Sequence, residues 1–109
     1  MRAEESEAFR VDTVELDGHA ELRLVGELDM GTAPRLAAAL EPVSEHGVAT
    51  LVLDLSQLQF IDSSGLNHLV KVLKRQQAHG GEVVLHAPTD QTRRVLELVG
   101  LTTLFTITE

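Results

Sequence analysis

Hydrophobic and polar residues alternate with different periods along the chain, and each change of period marks a predicted element. Residues 9–14 are rich in β-forming side chains, and Asp17-Gly18 follows as a dipeptide favoured in hairpin turns. Apolar and polar positions then alternate, as expected for a half-buried strand. The apolar positions are Ala20, Leu22 and Leu24, and the polar ones between them are Glu21 and Arg23. The chain therefore opens with a predicted β-hairpin.

A helical pattern follows this hairpin. Thr32 is a candidate N-cap, and Pro34 suits the first turn of a helix because a missing N–H there is harmless. The predicted apolar face consists of Leu36, Ala39, Leu40 and Val43. Pro42 interrupts this pattern, so we expect the helix to kink or end near Leu40.

The middle of the chain predicts a strand, a loop and a helix. Residues 50–55 include the near-continuous apolar run Leu51-Val52-Leu53, which is typical of a strand covered on both faces. We expect residues 56–61 to form a loop. Apolar residues then recur at helical spacing until Gly80-Gly81, which predicts the end of the helix. The helical apolar residues are Leu66, Leu69, Val70 and Leu73.

The last part of the chain predicts another strand, helix and short strand. Residues 83–85 form an apolar run closed by Pro88, and Thr89 or Asp90 is expected to cap the next helix. The residues expected to face inward from that helix are Val95, Leu98 and Val99, with Gly100 after its end. Residues 104–108 are predicted to be a short strand or a docked tail.

The predicted order is β-β-α-β-α-β-α-β, which indicates an α/β fold. We expect one domain over residues 8–109, with a mostly parallel mixed sheet opened by a β-hairpin and connected by crossover helices. Residues 1–7 are expected to be a flexible N-terminal end. In parallel sheets, function usually lies at the carboxyl ends of strands. Residues 26–29 and 61–65 are predicted to meet at that edge.

Composition narrows the possible functions. The 109 residues are 43% hydrophobic and include no cysteine, which excludes disulfides, cysteine nucleophiles and thiolate metal sites. Seventeen acidic and nine basic residues give a net charge of −8, which disfavours direct binding to nucleic acid. No apolar stretch is long enough to span a membrane, and the acidic N-terminus does not resemble a signal peptide. We expect a cytoplasmic protein that needs no cofactor.

The polar cluster Asp62-Ser63-Ser64-Gly65 precedes the predicted central helix. A helix cap is the simplest explanation: Asp62 would be the N-cap, and the Ser63 hydroxyl would point outward from the first turn. Gly65 would cost about 1 kcal/mol relative to alanine in the helix. Either close helix–strand packing or the close approach of another molecule to Ser63 would explain that cost. A phosphate on Ser63 would meet free N–H groups of the helix start, so phosphorylation should not unfold the domain.

Other polar residues suggest no catalytic set. The histidines show no metal-ligand spacing and are interpreted as surface or packing residues, and no metal site is predicted. They are His19, His46, His68, His79 and His86. The nucleophile-elbow glycine pattern is absent around Ser63. Lys71, Lys74 and Arg75 form either a solvated helix face or the rim of a protein interface.

Two motifs together resemble the bacterial anti-sigma-factor antagonists, which carry the STAS domain. The motifs are Gly26-Glu27-Leu28-Asp29 and Phe60-Ile61-Asp62-Ser63-Ser64-Gly65-Leu66. The resemblance spans about residues 9–107 and includes the Val-Leu-Asp-Leu strand, the Gly-Gly turn and the late Leu-Val-Gly-Leu segment. It implies a STAS-like fold and a role in partner switching.

In that family the unmodified antagonist binds an anti-sigma factor that is also a serine kinase, and binding frees a sigma factor. The kinase phosphorylates the serine that matches Ser63, and a metal-dependent Ser/Thr phosphatase removes the phosphate. The residues implied to support the phosphorylation site are Asp29, Asp62, Ser64 and Gly65. The implied partner-binding residues are Glu27, Asp29, Ser63, Ser64, Leu66, Asn67, His68 and Lys71. The resemblance thus implies a binding protein rather than an enzyme, and we expect the protein to be monomeric when free.

The chain departs from the family pattern at two places. Asn67, His68 and Lys71 stand where members often have small or apolar residues, which affects the identity of the partner. Pro42 affects the first crossover helix. Neither departure touches the motif around Ser63.

Two other functions are considered beside the phosphorylation switch. One is a constitutive STAS scaffold, or a sensory accessory domain of a larger signalling assembly, that is never phosphorylated. The other is a small serine hydrolase or nucleotide-binding enzyme, against which the 3% aromatic content and the lack of a catalytic set argue.

Overall fold

The computed structural model of the chain describes residues 9–109. The predicted flexible end, residues 1–7, lies outside the described residues. The elements are β1 (Phe9–Leu16), β2 (His19–Leu28), α1 (Ala33–Glu45), β3 (Thr50–Ile61), α2 (Ser63–Ala78), β4 (Glu82–His86), α3 (Asp90–Leu98) and β5 (Thr106–Thr108). Their order along the chain is the predicted one. Within residues 9–109, none of the helices combines the length and the hydropathy needed to cross a bilayer.

The five strands form one mixed sheet in the order β1-β2-β3-β4-β5. β1 is antiparallel to β2, and the other three neighbouring pairs are parallel, which confirms the predicted α/β class. Leu16 pairs with His19 across the hairpin. Asp17 and Gly18, the two residues between them, have φ values of 42° and 76°, as a type I′ turn requires. The dipeptide therefore fixes the register of the hairpin.

One face of the sheet packs on α1 and α2 and forms the core. The alternating residues Ala20, Leu22 and Leu24 of β2 are all completely buried, as predicted. Leu53 and Leu85 continue this apolar layer on β3 and β4. Side chains on the opposite face of the same strands are partly covered or exposed, except for the buried Asp54. The sheet is therefore apolar on the helix side and more polar on the other.

β3 is longer than predicted. The expected loop over residues 56–61 is instead the second half of the strand, which runs without a break to Ile61. Its pairing with β2 shifts register twice, so that β3 holds two more residues than the facing part of β2. Each register shift inserts one residue between two inward-facing positions of β3. The inward side chains Leu55, Leu58 and Ile61 are therefore three residues apart, whereas those of a regular strand are two residues apart.

Pro42 does not end the first helix, contrary to expectation, because α1 continues to Glu45. The ring lies on the exposed side of the helix, where water can satisfy the carbonyl that loses its N–H partner. Leu40 and Val43, on either side of Pro42, are buried in the core. Packing of these two side chains holds the helix together across the proline.

The predicted inward face of α3 is also wrong in part. Leu98 and Val99 are 79% and 54% exposed, whereas Thr92 and Leu96 are buried. Residues four apart share a helix face, and Leu98 lies about 200° around the helix from Leu96. The burial of Thr92 and Leu96 therefore turns Leu98 outward.

Candidate functional site at the ends of β2 and β3

The carboxyl ends of β2 and β3 bring the two sequence motifs together. Leu28 and Ile61 are paired at the last position of the two parallel strands. The Asp62 N–H donates to the Leu28 carbonyl oxygen at 3.2 Å. Asp29 directly follows Leu28, and Ser63 directly follows Asp62, so both residues lie next to this hydrogen bond. The predicted proximity of residues 26–29 and 61–65 is therefore found in the structure.

Asp62 caps α2 as predicted. Its Oδ1 accepts the Gly65 N–H at 2.9 Å, and its backbone carbonyl accepts the Leu66 N–H at 2.9 Å. Ser63 is the first residue of α2, and it is exposed. Among the described residues, the Ser63 hydroxyl takes part in no hydrogen bond, and Ser64 is half-buried beside it. The cap therefore leaves the Ser63 hydroxyl free.

Close helix–strand packing explains the glycine at position 65. A Cβ on Gly65 would lie 2.7 Å from the Leu28 carbonyl oxygen and 2.8 Å from Cγ1 of Ile61. Both neighbouring side chains are buried. Only a residue without a side chain lets the start of α2 approach the ends of β2 and β3 this closely.

Asp29 organises the turn between β2 and α1. Its Oδ1 accepts the N–H groups of Gly31 and Thr32, both at 3.0 Å, and its carbonyl accepts the Ala33 N–H at 2.8 Å. Thr32 does not use its side chain as a cap, contrary to expectation. Its hydroxyl donates to the Glu27 carbonyl at 2.7 Å and accepts the Asp29 N–H at 2.9 Å. The half-buried Asp29 side chain therefore closes the turn that precedes α1, and α1 has no side-chain cap.

The residues suggested for partner binding lie around this edge, with different degrees of exposure. Glu27, Asn67 and Lys71 are exposed, and His68 is half-buried. Leu66 is only 7% exposed, so its side chain belongs mainly to the core. On α2, helical spacing places Ser63, Leu66 and Asn67 on one flank and His68 and Lys71 on the other.

A groove of about 270 Å³ lies beside Ser63. Its lining residues are Ser63, Leu66, Asn67 and Val70 of α2, together with Val99 and Leu101 after α3. Exposed apolar side chains occur near these elements: Leu98, Val99 and Leu104 are each more than half exposed. The sequence did not indicate this groove, because apolar residues at helical spacing predict burial and give no sign of a docking surface.

The histidines do not form a site. His46 pairs with Glu15, and Nδ1 of His86 lies 2.7 Å from the Thr108 hydroxyl. Within residues 9–109, no three histidine or acidic side chains are grouped so that they could hold a metal ion. Burial lowers the pKa of His68, and the charge of Lys71 lowers it further.

Asp54 is a buried carboxylate that the sequence did not single out as important. It lies on β3 away from the candidate site and is paired across the sheet with Arg23 and His86. Burial raises its pKa, but the Ser56 N–H at 2.9 Å, the Ser56 hydroxyl and the positive charge of Arg23 together lower the pKa below its usual value. Asp54 is therefore a structural anion of the sheet.

Comparison with known proteins places the chain in a family. The STAS domain family model matches residues 10–109. The anti-sigma-B factor antagonist of Staphylococcus aureus (strain NCTC 8325 / PS 47) is 29% identical over 101 residues, which cover 93% of this chain and 94% of that protein.

Solved structures agree with this assignment. An anti-sigma factor antagonist from Mycobacterium paratuberculosis superposes with a TM-score of 0.83 and 30% identity, covering 94% of this chain and 86% of that one. The anti-sigma factor antagonist SpoIIAA in its unphosphorylated form gives a TM-score of 0.76 and 25% identity, covering 94% and 89%. The Bacillus SpoIIAA in its phosphorylated form shares the fold, with a TM-score of 0.70 and 24% identity over 94% and 92%. The relatives described above are named as anti-sigma factor antagonists, and the chain belongs to the STAS domain family.

Proposed function

We propose that the protein is an anti-sigma factor antagonist that binds its anti-sigma factor when Ser63 is unmodified and loses that binding when Ser63 is phosphorylated. The observation that carries this proposal is the Ser63 hydroxyl, which is exposed and free of hydrogen bonds within the described part of the chain. Relatives named as antagonists of anti-sigma factors support the first half of the proposal. SpoIIAA, which has the same fold, occurs in an unphosphorylated and a phosphorylated form, and this supports phosphorylation as the modification in the second half.

The environment of Ser63 suits a phosphate that changes binding without unfolding the domain. Ser63 is the first residue of α2, where the positive end of the helix dipole and the free N–H groups of the first turn favour an anion. Gly65 and Leu66 donate their N–H groups to Asp62, so the cap does not depend on the Ser63 hydroxyl. We therefore expect α2 to remain intact after phosphorylation.

The same environment makes a phosphate costly to cover. A phosphate adds about −1.5 to −2 charges beside Asp62 and Asp29. Ser63 also lines the groove that Val70, Val99 and Leu101 make apolar. A partner that fills this groove has to remove water from the phosphate and bring its own surface close to like charge, which can cost several kcal/mol. Each 1.4 kcal/mol lowers the affinity about tenfold.

The other residues have supporting roles in this proposal. Asp62 and Gly65 fix the position of the start of α2, and Asp29 holds the neighbouring turn close to Ser63. The remaining contacts to the partner come from Glu27, Ser64, Leu66, Asn67, His68 and Lys71. The Asp29 Oδ2 atom accepts no hydrogen bond among the described residues, so it remains available to orient the Ser63 hydroxyl or the kinase.

The proposed partners are an anti-sigma factor with serine kinase activity and a metal-dependent Ser/Thr phosphatase. The protein itself acts in the cytoplasm as a binding protein and as a substrate of these two enzymes, with no catalytic activity of its own. Its acidic surface disfavours direct contact with nucleic acid.

The proposal is tested by comparing wild type, Ser63→Ala and the matched control Ser64→Ala. Each purified protein is incubated with lysate of the native host and ATP, and phosphorylation sites are mapped by mass spectrometry. We expect phosphate on Ser63 in wild type and in Ser64→Ala, and none in Ser63→Ala. Phosphate on Ser63→Ala at the wild-type stoichiometry would mean that the site assignment is wrong.

A second measurement tests the effect on binding. Wild type and Ser63→Glu are immobilised, and captured host proteins are identified. Capture of an ATP-binding kinase-like protein by wild type alone supports the switch. If both capture the same proteins equally, and phosphorylated protein does too, the constitutive scaffold is the better description.

A further inference from the structure

Helix α2 differs sharply in charge from the rest of the protein. It carries the basic residues Lys71, Lys74 and Arg75 and no acidic residue. The remainder of the chain has six basic and 17 acidic residues and thus a net charge of −11. One helix therefore presents concentrated positive charge on a strongly acidic protein.

Among the residues that the structure describes, no carboxylate forms an ion pair with a basic side chain of α2. Arg10, Arg23 and Arg93 form ion pairs with carboxylates. Within residues 9–109, no such pair is formed by Lys71 or by Arg75, although both are exposed and Glu41 and Glu45 lie on the adjacent helix α1. Their charges are therefore available to a ligand.

Lys71 and Arg75 line a groove between α1 and α2 that encloses about 190 Å³. The apolar lining comes from Leu40, Leu51 and Val72, and the basic lining from His68, Lys71 and Arg75. We call this the α1–α2 groove. His68 is half-buried in this groove, and the positive charge comes from the exposed Lys71 and Arg75. An apolar floor beside two free cations suits a ligand that is both apolar and acidic.

We propose that the α1–α2 groove binds an acidic segment of a partner protein. One apolar side chain of that segment would contact Leu40, Leu51 and Val72, and neighbouring carboxylates would pair with Lys71 and Arg75. Such a segment matches the charge of the groove and its combination of apolar and basic surface.

Size and charge favour a protein segment over other anions. Pockets for small molecules are commonly about 300–1,000 Å³, and the α1–α2 groove is smaller than that range. A long polyanion such as nucleic acid, or an anionic membrane, would extend beyond α2 to the rest of the protein, whose net charge of −11 repels it. A short acidic segment can contact Lys71 and Arg75 without covering the acidic remainder of the protein.

The groove is separate from the phosphorylation site. Helical spacing places Lys71 and Arg75 on the flank of α2 that faces α1, whereas Ser63 and Val70 lie on the flank that faces the end of α3. The inference therefore extends the proposed function with a second contact surface. The two surfaces share His68 and Lys71, whereas Ser63 belongs only to the first and Arg75 only to the second.

The test uses a short amphipathic peptide of leucine and glutamate, with a counterpart in which lysine replaces glutamate. ¹⁵N-labelled protein is titrated with each peptide, and amide chemical shifts are followed. We expect the glutamate peptide to shift the amides of His68 and Val72, and its affinity to fall with added salt. Lys71→Ala combined with Arg75→Ala is expected to weaken binding roughly tenfold, which corresponds to about 1.4 kcal/mol, because both exposed ion pairs to the peptide are lost.

Lys74→Ala is the matched control, because Lys74 has the same charge and lies on the same helix but does not line the groove. We expect it to leave the affinity for the glutamate peptide almost unchanged. Equal weakening by Lys74→Ala, equal binding of the lysine peptide, or no shift in the groove would each overturn the proposal. Ser63→Ala and Ser63→Glu should not affect peptide binding, so failure of the phosphorylation switch is distinguishable from failure of this inference.

Discussion

Replacing Gly65 by alanine tests whether close packing sets the position of Ser63. The added Cβ would lie 2.7 Å from the Leu28 carbonyl oxygen and 2.8 Å from Ile61 Cγ1, both closer than real Cβ contacts allow. The carbonyl already accepts the Asp62 N–H, so it cannot move away without loss of that bond. The helix must therefore shift away from the strand ends.

The expected loss of stability follows from two opposing effects. Overpacking in a dense core costs about 1–3 kcal/mol, and the two contacts on Gly65 place this case near the upper end. Alanine gains about 1 kcal/mol over glycine in a helix. We expect a net loss of about 2 kcal/mol, which lowers the melting temperature by roughly 10 °C for a domain of this size.

Gly31→Ala is the matched control at the same edge. A Cβ on Gly31 would lie 3.5 Å from Asp29 Oδ1, which is ordinary van der Waals contact. We expect its urea denaturation midpoint to remain close to that of wild type, while Gly65→Ala shows an earlier midpoint and slower phosphorylation of Ser63. A Gly65→Ala protein as stable as wild type would refute the packing argument.

Three further substitutions give predictions that follow from local contacts. Asp62→Ala removes the α2 cap and should cost about 0.5–2 kcal/mol in urea denaturation; an unchanged midpoint would show that the cap is unimportant. The lowered pKa of Asp54 makes a contribution to stability that is present above its unfolded pKa and is lost as pH falls through its folded pKa. Arg23→Ala should therefore raise the pKa of Asp54, seen by carboxyl NMR titration, and make acid unfolding begin at higher pH. Lys71→Ala should raise the pKa of His68, measured from its ring proton shifts; no change would exclude a charge effect at this position.

Local sequence patterns correctly predicted the elements in which each residue has a single structural role, such as burial, a turn or a helix cap. The alternation of Ala20, Leu22 and Leu24 reflects a strand with one buried face, and the structure has all three fully buried. Asp17-Gly18 is a dipeptide that adopts the positive φ values of a hairpin turn, and the Asp62 carboxylate accepts an N–H group at the start of a helix. In each case a single local interaction determines the conformation.

The patterns failed where tertiary packing decided the outcome. The bulges of β3 break the two-residue period, so its second half has the inward spacing of Leu55, Leu58 and Ile61, which does not indicate a strand. Leu98 has an apolar side chain, but the burial of other residues on α3 turns it outward.

The candidate site was predicted for a different reason. Its two motifs follow paired parallel strands, so strand topology alone brings Asp29 close to Ser63. The groove formed by Val99 and Leu101 beside Ser63 could not be predicted, because it depends on where the end of α3 lies in space.

The order of the strands in the sheet is the same as their order along the chain, and this has a consequence for folding. Each new strand adds to the edge formed by the strand before it, so no strand has to insert between two that are already paired. Each parallel pair still joins strands on either side of a whole helix, as in the pairing of His19 with Thr50, and such long-range pairing slows folding. On the ribosome, the β1–β2 hairpin can form first, and each following helix and strand can dock as it emerges. The carboxyl ends of β2 and β3 and the start of α2, which hold Asp29 and Ser63, would then be in place once α2 has left the ribosome. This is before β5 pairs with β4 at the other edge of the sheet.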